Sequence, residues 1–451
     1  MCGMNNQGGK KSIARIIKEG IVALSSAKLL AQLVNIAAAF LVIRALSVFE
    51  YGVWQLAQSA IAIIGALTLP TLENIFLTDM ARDLGEGKVG RYRAELRAFI
   101  RIVFPLSFFV AVVVFFAAPF ISTLIGADAR AILMILSASF VLMSIKRIYL
   151  LLFSTQAKFA SEAGFTFLSR FFYLCLIIIL VVFNKFGIIG VALAYLFSAF
   201  LPLIVFFPAV LKNIIDLSKI PRGSYSFLET IKAHGKWSLL NDQTGIIGDL
   251  EPWVIKYFLG IEAVALFSVA SSLYSALGDL IPIEKILRVV FPREITDPDR
   301  LSFLFQRTIK YFTWLYALMG IVAYVFAPPF LKLVFPKYLP SLFLFNIMLL
   351  RFLVIPISNA VTAALYTFRA QKNLFFINLS KLGYPLTLAI GIIIFGIAGT
   401  AINAVVFVFA LTAARYYILR RIAPSLSFNF RTLFQFDEKD RALLKREFFR
   451  G

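Results

Sequence analysis

The sequence predicts an all-α polytopic membrane protein of about twelve helices in two six-helix pseudo-symmetric halves. Three observations carry this prediction. The 451 residues are 60% hydrophobic and 15% charged, and the mean hydropathy of +0.87 exceeds what a soluble domain can hide. The apolar residues are gathered into runs of about 20, the length a helix needs to cross a hydrocarbon core of about 30 Å. Three pairs of words recur in the same order, about 210 residues apart. They are FAAPF (Phe116 to Phe120) with FAPPF (Phe326 to Phe330), LSRFFY (Leu168 to Tyr173) with LSKLGY (Leu379 to Tyr384), and FGIIGVALA (Phe186 to Ala194) with FGIAGTAIN (Phe395 to Asn403). A duplicated unit accounts for all three.

The first half places its spans at about 21–43, 52–79, 99–118, 131–155, 163–184 and 186–211. The second places them at about 236–258, 263–290, 308–327, 339–368, 373–395 and 397–420. Helix is the required form, because an open strand in lipid leaves its amide groups unpaired. The alternating pattern of a membrane barrel is absent. The organisation is an N-terminal lobe at 1–211, a cytoplasmic linker at 212–235, a C-terminal lobe at 236–422 and a basic cytoplasmic tail at 423–451. The linker holds Pro221, Gly223 and several cations, and the tail reads as solvated or surface-lying. An even number of spans in each half points both copies the same way, which predicts parallel repeats about an axis along the membrane normal.

Orientation follows from the cations. Of the 45 Lys and Arg, 32 fall in segments on one side, among them Lys10 to Lys18, Arg82 to Arg101, Lys158, Lys212 to Lys236, Arg288 to Lys310, Arg369, Lys372 and Arg415 to Arg450. Six fall on the other: Arg44, Arg130, Lys185, Lys256, Lys332 and Lys337. Basic residues stay on the cytoplasmic side, so both termini are placed there. The same bias explains the net charge of +21 without nucleic acid. Cys2 and Cys175 give no disulfide framework or metal cluster, and the polar start reads as a cytoplasmic tail, not a cleaved signal.

Seven cations remain inside the spans: Lys28, Lys146, Arg147, Arg170, Lys285, Arg351 and Lys381. Each costs about 2.5–3.5 kcal/mol at mid-helix before compensation. Acids in the spans can pair with some of them, as Glu284 can with Lys285. Lys28, Arg147, Arg170 and Lys381 lie seven or eight residues in from the cytoplasmic ends of their helices, roughly 10–12 Å deep. Cations at one level in different helices suggest a positively lined central cavity, with Arg351 further along. Headgroup contact or helix–helix bonding is the plainer reading of any one of them. A cationic cavity wants an anion, and the planar fork of Arg suits phosphate. The fit is an amphiphile with a phosphate head and a lipid tail. Pro70, Pro282, Pro356 and Pro385 break their helices, as hinges or as passive kinks. The seventh span is polar, and its Asp242, Asp249 and Glu251 are candidates to bind a coupling H+ or Na+, or to neutralise nearby cations. His234, at the loop boundary, is not read as a relay.

The segments RALSVFEYGVWQLA (Arg44 to Ala57) and DLEPWVIKYFLGIEAVALFSVA (Asp249 to Ala270), with the repeated basic and glycine words, resemble a family. It is the multidrug/oligosaccharidyl-lipid/polysaccharide exporter superfamily, and within it the O-antigen flippase (Wzx) type of polysaccharide biosynthesis protein. Arg44, Glu50, Tyr51, Gly52 and Asp249 match its motif positions, while Ala265 and Phe267 stand where Gly and Tyr are usual. The resemblance covers roughly residues 12–422. It implies a MATE-like fold and a flippase moving undecaprenyl-pyrophosphate-linked oligosaccharide to the periplasmic leaflet of the bacterial inner membrane. It also implies alternating access, no cofactor or metal, and other polysaccharide assembly proteins as candidate partners. On it, Lys28, Arg147, Arg170, Arg351 and Lys381 hold the pyrophosphate. No G-x-x-x-x-G-K-[ST] phosphate loop is present, in keeping with transport without ATP hydrolysis.

Two alternatives stay open. One is an exporter of another substrate, the peptidoglycan lipid precursor or small drugs; a cationic drug would prefer an acidic or aromatic cavity. The other is a membrane-embedded polysaccharide enzyme, which usually needs a large extracytoplasmic loop or a catalytic His in the membrane. The periplasmic loops here are short.

Overall fold

The computed structural model describes residues 30–68, 72–156, 158–219, 244–278, 297–368 and 370–429, with positions 283, 287, 291 and 433 besides. Lys28, Pro70, Asp242, Pro282, Glu284, Lys285, His234 and most of the 212–235 linker lie outside them. Every regular element among the described residues is helical. Eight helices are long and apolar enough to cross a membrane, or nine counting a bent pair. A shorter apolar helix, a two-part second span and the described part of the seventh stand at the remaining predicted positions. The chain is a multi-pass membrane protein, and its contacts divide it into two compact units, Met1–Pro252 and Trp253–Gly451.

The first unit opens with α1 (Leu30–Ala45). Next comes α2 (Val48–Gly65), started by a reciprocal cap. The Ser47 hydroxyl accepts from the Glu50 amide at 3.2 Å, and a Glu50 carboxylate oxygen accepts from the Ser47 amide at 2.8 Å. Glu50 of the family segment therefore has a structural use. A 3₁₀ turn (Ala66–Thr68) ends α2, and α3 (Leu72–Gly85) follows. The helix α4 (Val89–Ile125) has 37 residues. At 1.5 Å per residue it is about 55 Å long, well beyond a core of about 30 Å. Its polar start, with Arg91, Arg93, Glu95 and Arg97, accounts for the excess. After α5 (Arg130–Thr155) and α6 (Phe159–Ile177), a π-helical stretch Ile178–Phe183 leads to α7 (Gly187–Ser218). Phe76, Tyr92, Phe99, Tyr149, Phe153 and Phe165 pack α3 to α6 together, joined by Leu203 and Val210 of α7. Phe108, Phe109, Phe116 and Phe120 on α4 remain exposed, the face such a helix turns to lipid. The short α8 (Ile246–Asp249) closes this unit.

Helix α9 (Glu251–Leu259) leads into the second unit, and α10 (Ile261–Gly278) follows. Then comes α11 (Pro298–Val334), again 37 residues, capped by Asp297 with Pro298 in the first turn. The tenth span is broken: α12 (Ser341–Leu349) and α13 (Ile355–Thr367) meet at 46° across a 3₁₀ turn, Leu350–Leu353. The eleventh is α14 (Gln371–Leu379), a second 3₁₀ turn Ser380–Gly383, and α15 (Tyr384–Phe395). Pro356 and Pro385 open the helices after these turns. Proline has no N–H to give the carbonyl four residues back. For Pro385 that carbonyl belongs to Lys381, which is met instead by the amide of Tyr384 three residues on. The last helix is α16 (Ala398–Ile422). Beyond it the chain lies along α11. Ser302, Gln306 and Trp314 donate side-chain hydrogen bonds to the carbonyls of Ser425, Ser427 and Leu433 at 2.9, 3.0 and 2.9 Å. This first stretch of the tail is bonded to α11, with Ala423 and Leu426 buried and Ser425 and Ser427 exposed.

The duplication is visible in both units. Each contains a 37-residue helix with proline inside it. Each glycine word forms a hairpin between two helices. Gly187 and Gly396 turn the chain with φ of 54° and 58°. At Gly190 an added methyl group would lie 3.2 Å from the Leu180 carbonyl, and at Gly399 it would run into the Gly391 carbonyl.

Candidate functional site

In the first unit three intramembrane cations gather, with different partners. Arg147, on α5, donates from Nη1 to the Thr68 hydroxyl at 3.0 Å and to the Thr68 carbonyl at 3.4 Å. Thr68 ends the 3₁₀ turn after α2, so this guanidinium sits at the negative end of a helix. Lys146, one residue earlier, faces Arg170 of α6. Glu73 on α3 faces both Arg147 and Lys146. Arg170 donates from Nη1 to the Asn35 side-chain oxygen of α1 at 2.8 Å. Its side chain is exposed, and it lies within electrostatic reach of Tyr173 and Tyr195. Those two rings meet edge to face at 6.5 Å, and Trp54 packs on Tyr195 at 6.4 Å. Arg170 thus stands beside an aromatic and amide wall, with Lys146 within its electrostatic reach, while Arg147 is spent on fixing the end of α2.

The second unit holds Arg351 and Lys381 in different surroundings. Arg351, in the break between α12 and α13, lies over the Tyr274 ring at 4.4 Å. Tyr274 stacks on Phe352 at 5.0 Å. The contact gives a half-buried cation an aromatic partner. Lys381, in the break between α14 and α15, faces Arg415 of α16. Sequence reasoning assigned Arg415 to a cytoplasmic segment. In the structure it is half-buried within the helix, and it donates to Asn378 at 2.8 Å and Thr362 at 3.2 Å. Lys146 counted as intramembrane but not as a site residue, and Asn35 and Tyr195 gave no sequence signal, since neutral groups carry no penalty that marks them.

Asp249 ends α8, and its carbonyl accepts a hydrogen bond from the Ser59 hydroxyl of α2. Glu251 stands in the first turn of α9. Among the described residues no group of three or more His, Cys, Asp or Glu is placed to hold a metal ion.

These features define a membrane helix bundle with cations bonded inside its walls. The profile of a polysaccharide biosynthesis protein family matches residues 94–343, and the chain belongs to that family. Solved structures share the fold at low identity. One is an inward-facing multidrug resistance MATE family transporter of the MOP superfamily, with TM-score 0.75 and 16% identity over 87% of this chain and 95% of that one. A second is the lipid II flippase MurJ in an inward closed conformation, with TM-score 0.68 and 13% identity over 95% of this chain and 92% of that one. A third is a MOP superfamily transporter from Pyrococcus furiosus, described as having a binding pocket of reversed polarity, with TM-score 0.62 and 17% identity over 91% of this chain and 97% of that one. The fold is therefore MATE-like, as the sequence predicts. No protein of curated function matches the chain.

Proposed function

We propose that the protein is a flippase that moves an undecaprenyl-pyrophosphate-linked oligosaccharide, an O-antigen or other surface-polysaccharide repeat unit, across the bacterial inner membrane. The observation that carries this reading is Arg170, bonded to Asn35 through one nitrogen, beside Lys146. The remaining guanidinium donors are those a phosphate takes up in pairs. Membership of a polysaccharide biosynthesis family supports the class of cargo. The lipid II flippase MurJ, which shares the fold, supports the movement of a lipid-linked one.

On this reading Arg170 and Lys146 hold the diphosphate, Arg147 acts by fixing the end of α2, and Lys28, Arg351 and Lys381 are further cations proposed to serve the substrate. Tyr173, Tyr195 and Asn35 offer hydroxyl and amide contacts to the sugar next to it. The polyprenyl tail stays in lipid. Access alternates, and the bound anion drives the change to the extent that it favours one state over the other. The substrate leaves chemically unchanged. Asp242, Asp249 and Glu251 are the residues proposed to couple the cycle to H+ or Na+.

The test is movement of fluorescent lipid-linked oligosaccharide in liposomes that contain only this protein. Flux should appear with the wild type and fall at least tenfold in Arg170→Gln. It should respond to an imposed proton or sodium gradient, and that response should vanish in Asp249→Asn. Wild-type liposomes without flux under any gradient would refute the flippase reading. Unaided cleavage or joining of glycosidic bonds would replace it with an enzyme.

A further inference from the structure

We propose that Lys381 and Arg415 form a phosphate-anion site within the second unit, built on α13, α14 and α16. It rests on the reading above only for the identity of the physiological phosphate. Asn378 and Lys381 are three residues apart where the helix tightens to 3₁₀ geometry, so their side chains rise from one edge. Asn378 is 6% exposed and takes one Arg415 nitrogen at 2.8 Å. Thr362, 8% exposed on α13, takes the other at 3.2 Å. Two neutral, buried side chains thereby hold the guanidinium plane beside the lysine. The charge that faces Lys381 is this like charge, and no acid among the described residues faces it.

Such an arrangement is costly by itself. Two cations are withdrawn from water and set against each other. Glu73 faces Lys146 and Arg147 in the first unit. Here an incoming anion relieves both the repulsion and the lost solvation. A tetrahedral phosphate oxyanion suits a planar fork flanked by a point charge.

The probe is inorganic pyrophosphate added to the purified full chain in neutral detergent. A parallel arm places the chain in phosphatidylcholine nanodiscs with and without phosphatidylglycerol. Binding is read as thermal stabilisation and as protection of Lys381 from an amine-reactive reagent, quantified on its peptide. Pyrophosphate should stabilise the wild type, with affinity lowered at least tenfold in Arg415→Gln and Lys381→Gln and less in Arg415→Lys. Protection by pyrophosphate assigns the site to a diphosphate, and protection by phosphatidylglycerol alone assigns it to a lipid headgroup; either supports the site. Absence of protection in both arms, or unchanged affinity in Arg415→Gln, overturns it. Protection of Lys381 in the wild type does not depend on any variant folding. Binding intact in a protein without flux would count against the flippase and leave the site standing.

Discussion

Residues of one chemical type do different work in this bundle, and their bonds separate the roles. Arg147 spends its donors on the backbone and side chain of Thr68. Arg170 spends one on Asn35 and keeps an exposed fork. Arg147→Gln should therefore lower stability, by about 1.5–3 kcal/mol for lost charge-assisted bonds, while transport per folded molecule changes little. Arg170→Gln should do the reverse: unfolding temperature near that of the wild type and flux down at least tenfold, with Arg170→Lys in between. Paired melting curves and liposome flux check both. A cluster of three ionisable groups is also structural. The Arg91 Nε lies 3.0 Å from a carboxylate oxygen of Asp83 and 3.5 Å from one of Glu95, and both acids are buried. Arg91→Ala would take from two buried carboxyl groups the cation they face at the start of α4. A loss of about 1–3 kcal/mol is expected, and adding Glu95→Gln should recover part of it in the same melting assay.

At the scale of elements, the repeated words have acquired meanings. The glycine words are hairpin joints. Gly187 and Gly396 supply left-handed turns. Gly190 and Gly399 let the second helix close against the first. Gly399→Ala must push α16 away from α15, because the new methyl group meets the Gly391 carbonyl of the neighbouring backbone, which cannot rotate aside. Overpacking of this kind costs about 1–3 kcal/mol. Gly248, where an added methyl meets nothing within 4 Å, is the control that should tolerate Ala. Monodisperse yield after detergent extraction and the melting temperature measure the difference. The basic words diverge. Arg170 sits in an unbroken stretch of α6, while Lys381 sits in a break. That difference is legible in the sequence, because Pro385 stands four residues after Lys381 and no proline follows Arg170 at that distance. Arg415 was not legible. It lies near the end of an apolar run that also holds Arg420 and Arg421, and only the positions of Asn378 and Thr362 show that its side chain turns inward.

For the whole molecule, the fold was largely written in hydropathy. An apolar run of membrane length has one stable backbone solution, so helix positions follow from composition alone. Interior roles do not, because a buried cation declares its cost without declaring its partner. Arg147 at a helix end, Arg351 on a tyrosine and Arg170 on an asparagine carry the same signal in the sequence. The charge asymmetry leads to a test of orientation that needs no knowledge of substrate. Cations in short loops resist translocation, so the poor segments should face the periplasm and the rich ones the cytoplasm. In a background with Cys2 and Cys175 replaced by Ser, single cysteines at the exposed positions Lys185 and Lys337 should react in intact cells with a membrane-impermeant maleimide. Cysteines at Lys88 and Lys158, equally exposed, should react only after lysis. A fluorescent protein that folds only in the cytoplasm should glow when fused after Gly451. Labelling of Lys88 or Lys158 from outside would invert the orientation, and with it the leaflet from which Arg170 first meets an anionic head group.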